Sequence, residues 1–229
     1  MRYLGGKSRI SKDISSYINS VIGDKTFVSL FCGSCSIESK VNATTKILND
    51  SQPYLIAMWK DVQNGRTFPN KINFSEYQYI KAHKDEDIGL TGYVGFACSY
   101  SGKWFGGLAR NKRGEDFCAN AERSIYRDAI GLQNAIFLCR DYKDVEIPDN
   151  SLVYLDPPYA NTTGYSGCQF DTDEFWDYVR GISKSNIVLI SEENAPEDFE
   201  CVWSKQIARQ VDCRQDRFYR TEKLFRKKI

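Results

Sequence analysis

The chain has 229 residues and a formal net charge of +1. This length suits one α/β domain with a sizeable core and an insertion, and the near-neutral charge means that a nucleic-acid surface would have to come from local clusters of cations. No long apolar run that could span a membrane is present, which excludes an integral membrane protein of the helical class. We expect a cytoplasmic protein that is a monomer.

The eight cysteines are spaced irregularly, and Cys32-x-x-Cys35 is the only close pair. Zinc would need two further ligands, but the chain has no second pair of this kind and one histidine, His83. His83 lies in a polar stretch, so we expect it to be exposed. The pattern predicts free thiols in a reducing compartment and no bound metal.

An apolar run at residues 27–31 predicts the first strand, which leads into Gly33 and then into helical spacing at residues 36–43. Strand, glycine turn and helix in this order are typical of nucleotide-type sites, because a glycine lets the backbone approach a ligand closely.

The second predicted strand covers residues 46–50 and ends at Asp50. Either Asp50 or Ser51 is expected to cap a helix that follows to about Gln63. A carboxylate at this strand tip can accept hydrogen bonds from both hydroxyls of a ribose.

Between about residues 65 and 134 the alternation of strands and helices stops. An apolar stretch at 93–100 leads into a loop that glycines interrupt and that carries cations and aromatic rings, and helical spacing returns at 121–132. Such a loop suits phosphate contacts and base wedging, with an ordinary surface loop as the alternative. The candidate DNA-binding residues are Lys103, Trp104, Phe105, Arg110, Lys112 and Arg113.

The second half of the chain returns to an α/β pattern. Its apolar runs predict buried strands at residues 135–139, 151–155 and 187–191. The last forty residues predict a terminal hairpin with short strands around 201–203 and 222–225.

The most informative motif is Asp156-Pro157-Pro158-Tyr159, which directly follows the strand at 151–155. Prolines lack an N–H and fix φ, so this turn is rigid and its carbonyls face outward. The Asp156 carboxylate and the Pro157 carbonyl can each accept a hydrogen bond from an exocyclic amine, while Tyr159 stacks on its ring. A plain Asp-Pro turn after a strand is the alternative.

Together these motifs resemble the Dam-type DNA N6-adenine methyltransferases, which use S-adenosylmethionine and carry the same Asp-Pro-Pro-Tyr motif. Tyr3-Leu4-Gly5-Gly6-Lys7 is similar to the aromatic-x-Gly-Gly-Lys motif of that family. Phe31-Cys32-Gly33-Ser34-Cys35-Ser36 is similar to its Phe-x-Gly-x-Gly cofactor loop, with Cys35 in place of the last glycine. Asp50 stands where the family keeps an acid.

The resemblance implies an α/β, Rossmann-like methyltransferase fold with a mainly parallel sheet and a terminal antiparallel hairpin. The catalytic domain would comprise residues 1–64 and 135–229, with a mostly helical or loop target-recognition region inserted at 65–134. The implied catalytic residues are Asp156, Pro157, Pro158 and Tyr159. The implied cofactor-binding residues are Tyr3, Lys7, Phe31, Gly33, Asp50, Asp141 and Asp156.

The implied reaction is methyl transfer from S-adenosylmethionine to an adenine that is flipped out of double-stranded DNA, in a bacterial or phage-infected cell. A restriction–modification system, a phage and a host genome are the settings open to such an enzyme. At the tip of its strand, Asp141 would accept a hydrogen bond from the cofactor's adenine amine, and a helix cap or a surface acid is the alternative for this residue.

Three other functions stay open. Enzymes that methylate an amino group in RNA or protein usually carry Asn at the position of Asp156. A dinucleotide-dependent oxidoreductase needs a full Gly-x-Gly-x-x-Gly after the first strand, which is absent. A catalytically inactive DNA-binding module on the same fold is disfavoured by the intact motif and by Lys7.

Overall fold

The computed structural model describes residues 1–110, 117–158, 170–210 and 217–228, except for the side chains of 208–210 and 217–218. The chain divides into two compact units, Met1–Glu146 and Ile147–Ile229.

The strands of the first unit are parallel and agree with the predicted ones. They are β1 (Phe27–Ser29), β2 (Lys46–Asn49) and β3 (Ala135–Leu138), in the order β3-β2-β1. All of β1 is buried. This is expected for a parallel strand that is covered on both faces, and it explains why its sequence is a continuous apolar run.

In the described part of this unit, five α-helices accompany these strands. They are α1 (Ser11–Val21), α2 (Pro53–Gln63), α3 (Phe74–Ala82), α4 (Ile88–Gly92) and α5 (Phe117–Ala129). Helix α1 was not predicted, although Ile14 and Ile18 recur at helical spacing and are fully buried. The predicted cap of α2 was wrong: Gln52 occupies the N-cap, and Pro53 takes the first helical position, where a missing N–H costs nothing.

The helix predicted at residues 36–43 is a single 3-10 turn, Glu38–Lys40. Val41 after it is extended, and the Asn42 N–H donates to Asn19 Oδ1 at 2.8 Å instead of continuing a helix. The Glu38 carboxylate is buried and accepts a hydrogen bond from Ser29 Oγ at 2.9 Å.

Between residues 65 and 134 the described regular elements are helices and helical turns, as predicted. They include α3 to α5 and a π-helical turn, Tyr93–Ala97. Helix α3 starts with a capping box in which Asn73 Oδ1 accepts from the Glu76 N–H at 2.9 Å. The assignment of this region to a separate domain stays a prediction.

The described residues of the second unit form four strands and one α-helix. They are β4 (Leu152–Leu155), α6 (Thr172–Ile182), β5 (Ile187–Ser191), β6 (Phe199–Gln210) and β7 (Arg217–Lys227). The strand order is β4-β5-β7-β6, with β4 parallel to β5 and with β7 antiparallel to both of its neighbours. The fold is therefore α/β with mainly parallel pairing and a terminal antiparallel hairpin, as predicted, although β6 and β7 are longer than expected.

Helix α6 was missed by the sequence patterns. The Asp171 carboxylate caps it by accepting from the N–H groups of Asp173 and Glu174, both at 3.0 Å. Phe175 and Val179, four residues apart, are buried on its inner face. Both signals were present in the sequence.

Candidate active site

Gly33 forms the turn that follows β1, and its φ is +48°. Its N–H donates to Asp50 Oδ2 at 2.9 Å, and its carbonyl accepts from Trp59 Nε1 at 3.2 Å. A Cβ at this position would lie 3.2 Å from the ring of Tyr3. A glycine is therefore favoured both by the left-handed backbone and by the close approach of the tyrosine.

Asp50 directly follows β2 and is half-buried. Oδ2 accepts from Gly33, and Oδ1 accepts from the Gln52 N–H at 3.0 Å. Burial raises the pKa of Asp50, whereas the two backbone donors lower it. Each oxygen of an ionised carboxylate can accept more than one hydrogen bond, so Asp50 retains capacity for the hydroxyls of a ribose.

Asn49 was not predicted as a site residue, yet it joins the ends of all three strands of the first unit. Its Nδ2 donates to the carbonyls of Leu30 and Arg140 at 3.1 and 3.0 Å. Its Oδ1 accepts from the Arg140 N–H at 3.0 Å, and the side chain is fully buried. An amide side chain at the last position of a buried strand is the sequence pattern that could have identified this residue. In the structure its hydrogen bonds hold the loops after β1 and β3.

Cys35, which replaces the family's last loop glycine, has a φ of +51°. Its N–H donates to the Cys32 carbonyl at 2.8 Å, and its side chain is fully buried. The loop thus keeps a glycine-like backbone at a cost of about 1–2 kcal/mol. Burial raises the pKa of the Cys32 thiol and of the Cys35 thiol, which keeps both protonated at neutral pH.

The N-terminal motif is a tight turn in which the Gly6 N–H donates to the Tyr3 carbonyl at 2.9 Å. The Tyr3 ring packs on Gly33, and its centroid lies 5.3 Å from that of Phe96. Lys7 is buried, with 6% of its surface exposed. The motif therefore places Tyr3 directly against the loop after β1.

Phe31 and Asp141 follow β1 and β3. The Phe31 ring lies 5.3 Å from the ring of Tyr142. Asp141 is exposed, and its Oδ1 caps a short 3-10 turn by accepting from the Lys143 N–H at 3.0 Å. This capping was one of the alternatives for Asp141, and its contact with an adenine stays a prediction.

In the second unit, Asp156 directly follows β4 and is half-buried. Pro157 is buried and Pro158 is exposed. Tyr159 lies outside the described residues. All of β4 is buried, and its last residue, Leu155, pairs with Ile190 of β5. The motif thus begins where two parallel strands end, the edge at which open α/β sheets bind ligands.

The predicted DNA-binding loop contains two packed aromatic side chains. The Trp104 ring lies 4.6 Å from the ring of Phe96 and 5.1 Å from that of Tyr54. Phe105 is only 7% exposed and packs edge-on against Tyr77 at 5.5 Å. These rings hold the loop on the first unit, and their contact with DNA stays a prediction.

Exposed groups of the same loop face solvent. Lys103 and Arg110 are exposed, and Arg110 lies over the ring of Phe74 at 5.4 Å. Lys112 and Arg113 lie outside the described residues. The sequence patterns placed Tyr100 in the apolar stretch before this loop, but its ring is 65% exposed, so it is grouped here with the loop.

Other sequence-based expectations concern metals, thiols and membranes. Six cysteines in the described part of the chain are free, and His83 is exposed. Among the described residues, no group of three or more His, Cys, Asp or Glu side chains is arranged to hold a metal ion. Within the same ranges, every helix is too short or too polar to cross a bilayer.

Comparison with solved structures finds proteins of similar fold, two of which are described as RNA methyltransferases. The rRNA methyltransferase aviRa from Streptomyces viridochromogenes is 12% identical with a TM-score of 0.47, and the match covers 98% of this chain and 86% of that one. A putative RNA methyltransferase from Pyrococcus horikoshii is 10% identical with a TM-score of 0.45, covering 96% and 83% of the two chains.

Sequence comparison, unlike the comparison of folds, identifies a family of DNA methyltransferases. The Type II methyltransferase M.FokI of Planomicrobium okeanokoites is 21% identical over 190 residues, which are 72% of this chain and 29% of M.FokI, so the chain spans less than a third of that relative's length. The family model for D12 class N6 adenine-specific DNA methyltransferases matches residues 3–87 and 95–197, which include the N-terminal motif, the loop after β1 and the Asp-Pro-Pro-Tyr motif. Membership of a methyltransferase family implies S-adenosylmethionine as the methyl donor. The chain belongs to the D12 class of N6 adenine-specific DNA methyltransferases.

Proposed function

We propose that this protein is a site-specific DNA adenine N6-methyltransferase that uses S-adenosylmethionine to methylate an adenine flipped out of duplex DNA. The observation that carries the proposal is the Asp156-Pro157-Pro158 turn at the end of the fully buried strand β4, in a chain that belongs to an adenine-methylating family. The turn supplies two acceptors, a carboxylate and a carbonyl, for the two protons of an exocyclic amine.

The groups of the first unit fit S-adenosylmethionine. Asp50 is held by two backbone N–H donors and can accept from the ribose hydroxyls. The loop at Gly33 lets the backbone approach the ligand, and the Tyr3 ring beside it offers an apolar face. Lys7, on the same motif, would complement the carboxylate of the methionine part. When bound, S-adenosylmethionine supplies an electrophilic methyl group on a sulfonium.

The Asp156 turn would activate the amine. The N6 lone pair of adenine is delocalised into the ring, so the amine is a poor nucleophile. When Asp156 and the Pro157 carbonyl accept hydrogen bonds from its two N–H groups, they favour a more tetrahedral nitrogen with an available lone pair. Asp156 then stabilises the positive charge that grows on N6 in the transition state. Fixing the amine in this way can contribute several kcal/mol, up to about 7–11 in the most favourable cases.

The target base must leave the duplex to reach this turn. Flipping costs a few kcal/mol of stacking and pairing, which aromatic contacts in the pocket and phosphate contacts outside it can offset. Tyr159 is proposed to stack on the flipped base. Lys103 and Arg110 are exposed and suit phosphate contacts, and Lys112 and Arg113 are assigned the same role from their place in the sequence.

The product distinguishes this proposal from its alternatives. DNA from cells that express the protein should contain N6-methyladenine when it is digested to nucleosides and analysed by mass, and cells that express Asp156→Ala should lack it. An absence of modified DNA, together with methylated RNA or protein in the same cells, would support the alternative of an RNA or protein methyltransferase. No methyl transfer to any polymer, with DNA binding retained, would support an inactive DNA-binding module.

A further inference from the structure

Ser191, the last residue of β5, has a hydroxyl group that the structure leaves without a partner. The residue is 0% exposed, and Ser191 Oγ makes no hydrogen bond within the described part of the chain. Its neighbour in the β7 ladder is Leu224, which is fully buried and apolar. Buried hydroxyl groups nearly always have a partner, and a bound ligand or a water would supply one for Ser191.

The ladder places Ser191 beside Asp156. Leu155 of β4 and Ile190 of β5 are register partners, and each strand advances by one residue to reach Asp156 and Ser191. Residues in register on neighbouring parallel strands point to the same face, and their backbones are about 4.8 Å apart. Continued by one residue, this register sets the Ser191 backbone beside that of Asp156 and directs both side chains to one face of the sheet.

A second buried serine, at the other end of these strands, has a partner within the protein. Ser151 precedes β4, at the opposite end of the same strands, and is also 0% exposed. Its Oγ donates to the Pro148 carbonyl at 2.6 Å. The two serines thus match in burial and differ in whether the protein itself supplies a partner.

We propose, on the basis of the proposed function, that Ser191 determines base specificity by donating a hydrogen bond to N1 of the flipped adenine. Flipping removes the pairing partner of N6 and of N1. Asp156 and the Pro157 carbonyl accept hydrogen bonds from the two N6–H groups. This leaves N1, the ring nitrogen bonded to the carbon that carries the amine, in need of a donor. The Ser191 hydroxyl, at the end of the neighbouring strand, is a donor that can serve N1. A base that carries an N1–H, such as guanine, would be disfavoured at this point because its N1 cannot accept.

The test pairs an atomic deletion in the base with a deletion in the protein. The substrate is a duplex that contains the sequence found to be methylated in expressing cells, with adenine, 1-deazaadenine or 7-deazaadenine at the target position. The wild type should lose about tenfold in kcat/KM on 1-deazaadenine, and Ser191→Ala should lose about tenfold on adenine. If the hydroxyl binds N1, the two losses are not additive, so Ser191→Ala should treat adenine and 1-deazaadenine alike.

Controls separate this role from a structural one. Ser151→Ala should keep the wild-type response to 1-deazaadenine, and 7-deazaadenine should affect the wild type and Ser191→Ala equally. Ser191→Cys, which keeps a weaker donor of similar size, serves if the alanine variant is poorly folded, and it should show a reduced response to 1-deazaadenine. A full tenfold loss on 1-deazaadenine in both variants of Ser191 would overturn the inference. A wild type that does not methylate the unmodified duplex would instead overturn the proposed function.

Discussion

The backbone of Tyr3 lies directly on Gly102. A Cβ on Gly102 would be 2.5 Å from both the N and the Cα of Tyr3, and the Leu4 N–H donates to the Gly102 carbonyl at 3.2 Å. Gly102 belongs to the loop assigned to DNA recognition, whereas Tyr3 belongs to the motif assigned to the cofactor. The contact between Tyr3 and Gly102 therefore joins the predicted cofactor-binding motif to the predicted DNA-binding loop.

Gly102→Ala should weaken the binding of S-adenosylmethionine, although no cofactor motif includes Gly102. The new methyl group would displace Tyr3 from Gly33, and the φ of +69° adds strain. We expect roughly a tenfold rise in Kd by calorimetry, as for a loss of about 1.4 kcal/mol. Gly107→Ala is the matched control, because its φ is also positive but no heavy atom lies within 4 Å of the new Cβ. Equal cofactor affinity in Gly102→Ala and the wild type would contradict the coupling.

The raised pKa of Asp50 predicts how cofactor binding depends on pH. Its ionised form accepts from the ribose hydroxyls, so affinity should fall on acidification and should begin to fall at a higher pH than for an ordinary carboxyl group, whose pKa is about 4. Asp50→Asn should bind more weakly and show no fall in this range. The contribution of Asp50 to the stability of the free protein should instead rise on acidification. The reason is that a folded-state pKa above the unfolded value favours the folded form as Asp50 becomes protonated. A pH-independent wild-type Kd over this range would exclude Asp50 as the ribose acceptor.

The left-handed backbone of Cys35 can be tested by stability alone. At an ordinary position, alanine stabilises relative to glycine, but at a φ of +51° the order should reverse. Cys35→Gly should therefore be more stable than Cys35→Ala by about 1 kcal/mol in denaturant unfolding. Greater stability of the alanine variant would mean that the loop relaxes out of this conformation.

The strands were predictable because they are apolar runs that end in a polar residue. Asp50 after β2 and Asp156 after β4 were located in this way, and both stand at strand ends. What could not be read from one sequence was the tertiary use of a side chain. Trp104 lies in a loop whose glycines, cations and aromatic rings are typical of nucleic-acid contacts. Its ring nevertheless packs on Phe96, and a Cβ on Gly95 would lie 2.3 Å from it. Local pattern does not reveal which side of such a loop is covered.

Asp156→Asn should remove methyl transfer and spare the fold. The amide keeps the size of the carboxylate but loses the charge that stabilises the amine as it becomes positive, so turnover should fall by orders of magnitude at saturating cofactor and DNA. Asp173→Asn, at an exposed acid in the first turn of α6, is the control and should retain activity. Single-turnover rates near those of the wild type in Asp156→Asn would remove Asp156 from the catalytic role.

Activity should also survive a chelator. The proposed chemistry needs only the acceptors at Asp156 and Pro157, and the described residues contain no group of side chains arranged to hold a metal ion. Elemental analysis of the purified protein should detect no stoichiometric zinc, and incubation with EDTA should leave its activity unchanged. Loss of activity that zinc restores would contradict this expectation.

The exposed groups of the predicted DNA-binding loop should divide into charge contacts and a ring contact. If Lys103 and Arg110 meet phosphates, each replacement by alanine should weaken binding at all DNA sequences and flatten the plot of log Kd against log salt by roughly one unit. Tyr100→Ala should leave that slope unchanged and lower affinity by about 1–3 kcal/mol if the exposed ring stacks on a base.

Trp104→Ala is the contrast, because its packed ring should be needed for stability and its loss should appear first in thermal unfolding. An unchanged slope in the double variant of Lys103 and Arg110 would move the phosphate contacts to cations elsewhere in the chain. A fall in the stability of Tyr100→Ala equal to that of Trp104→Ala would remove the distinction between the exposed ring and the packed one.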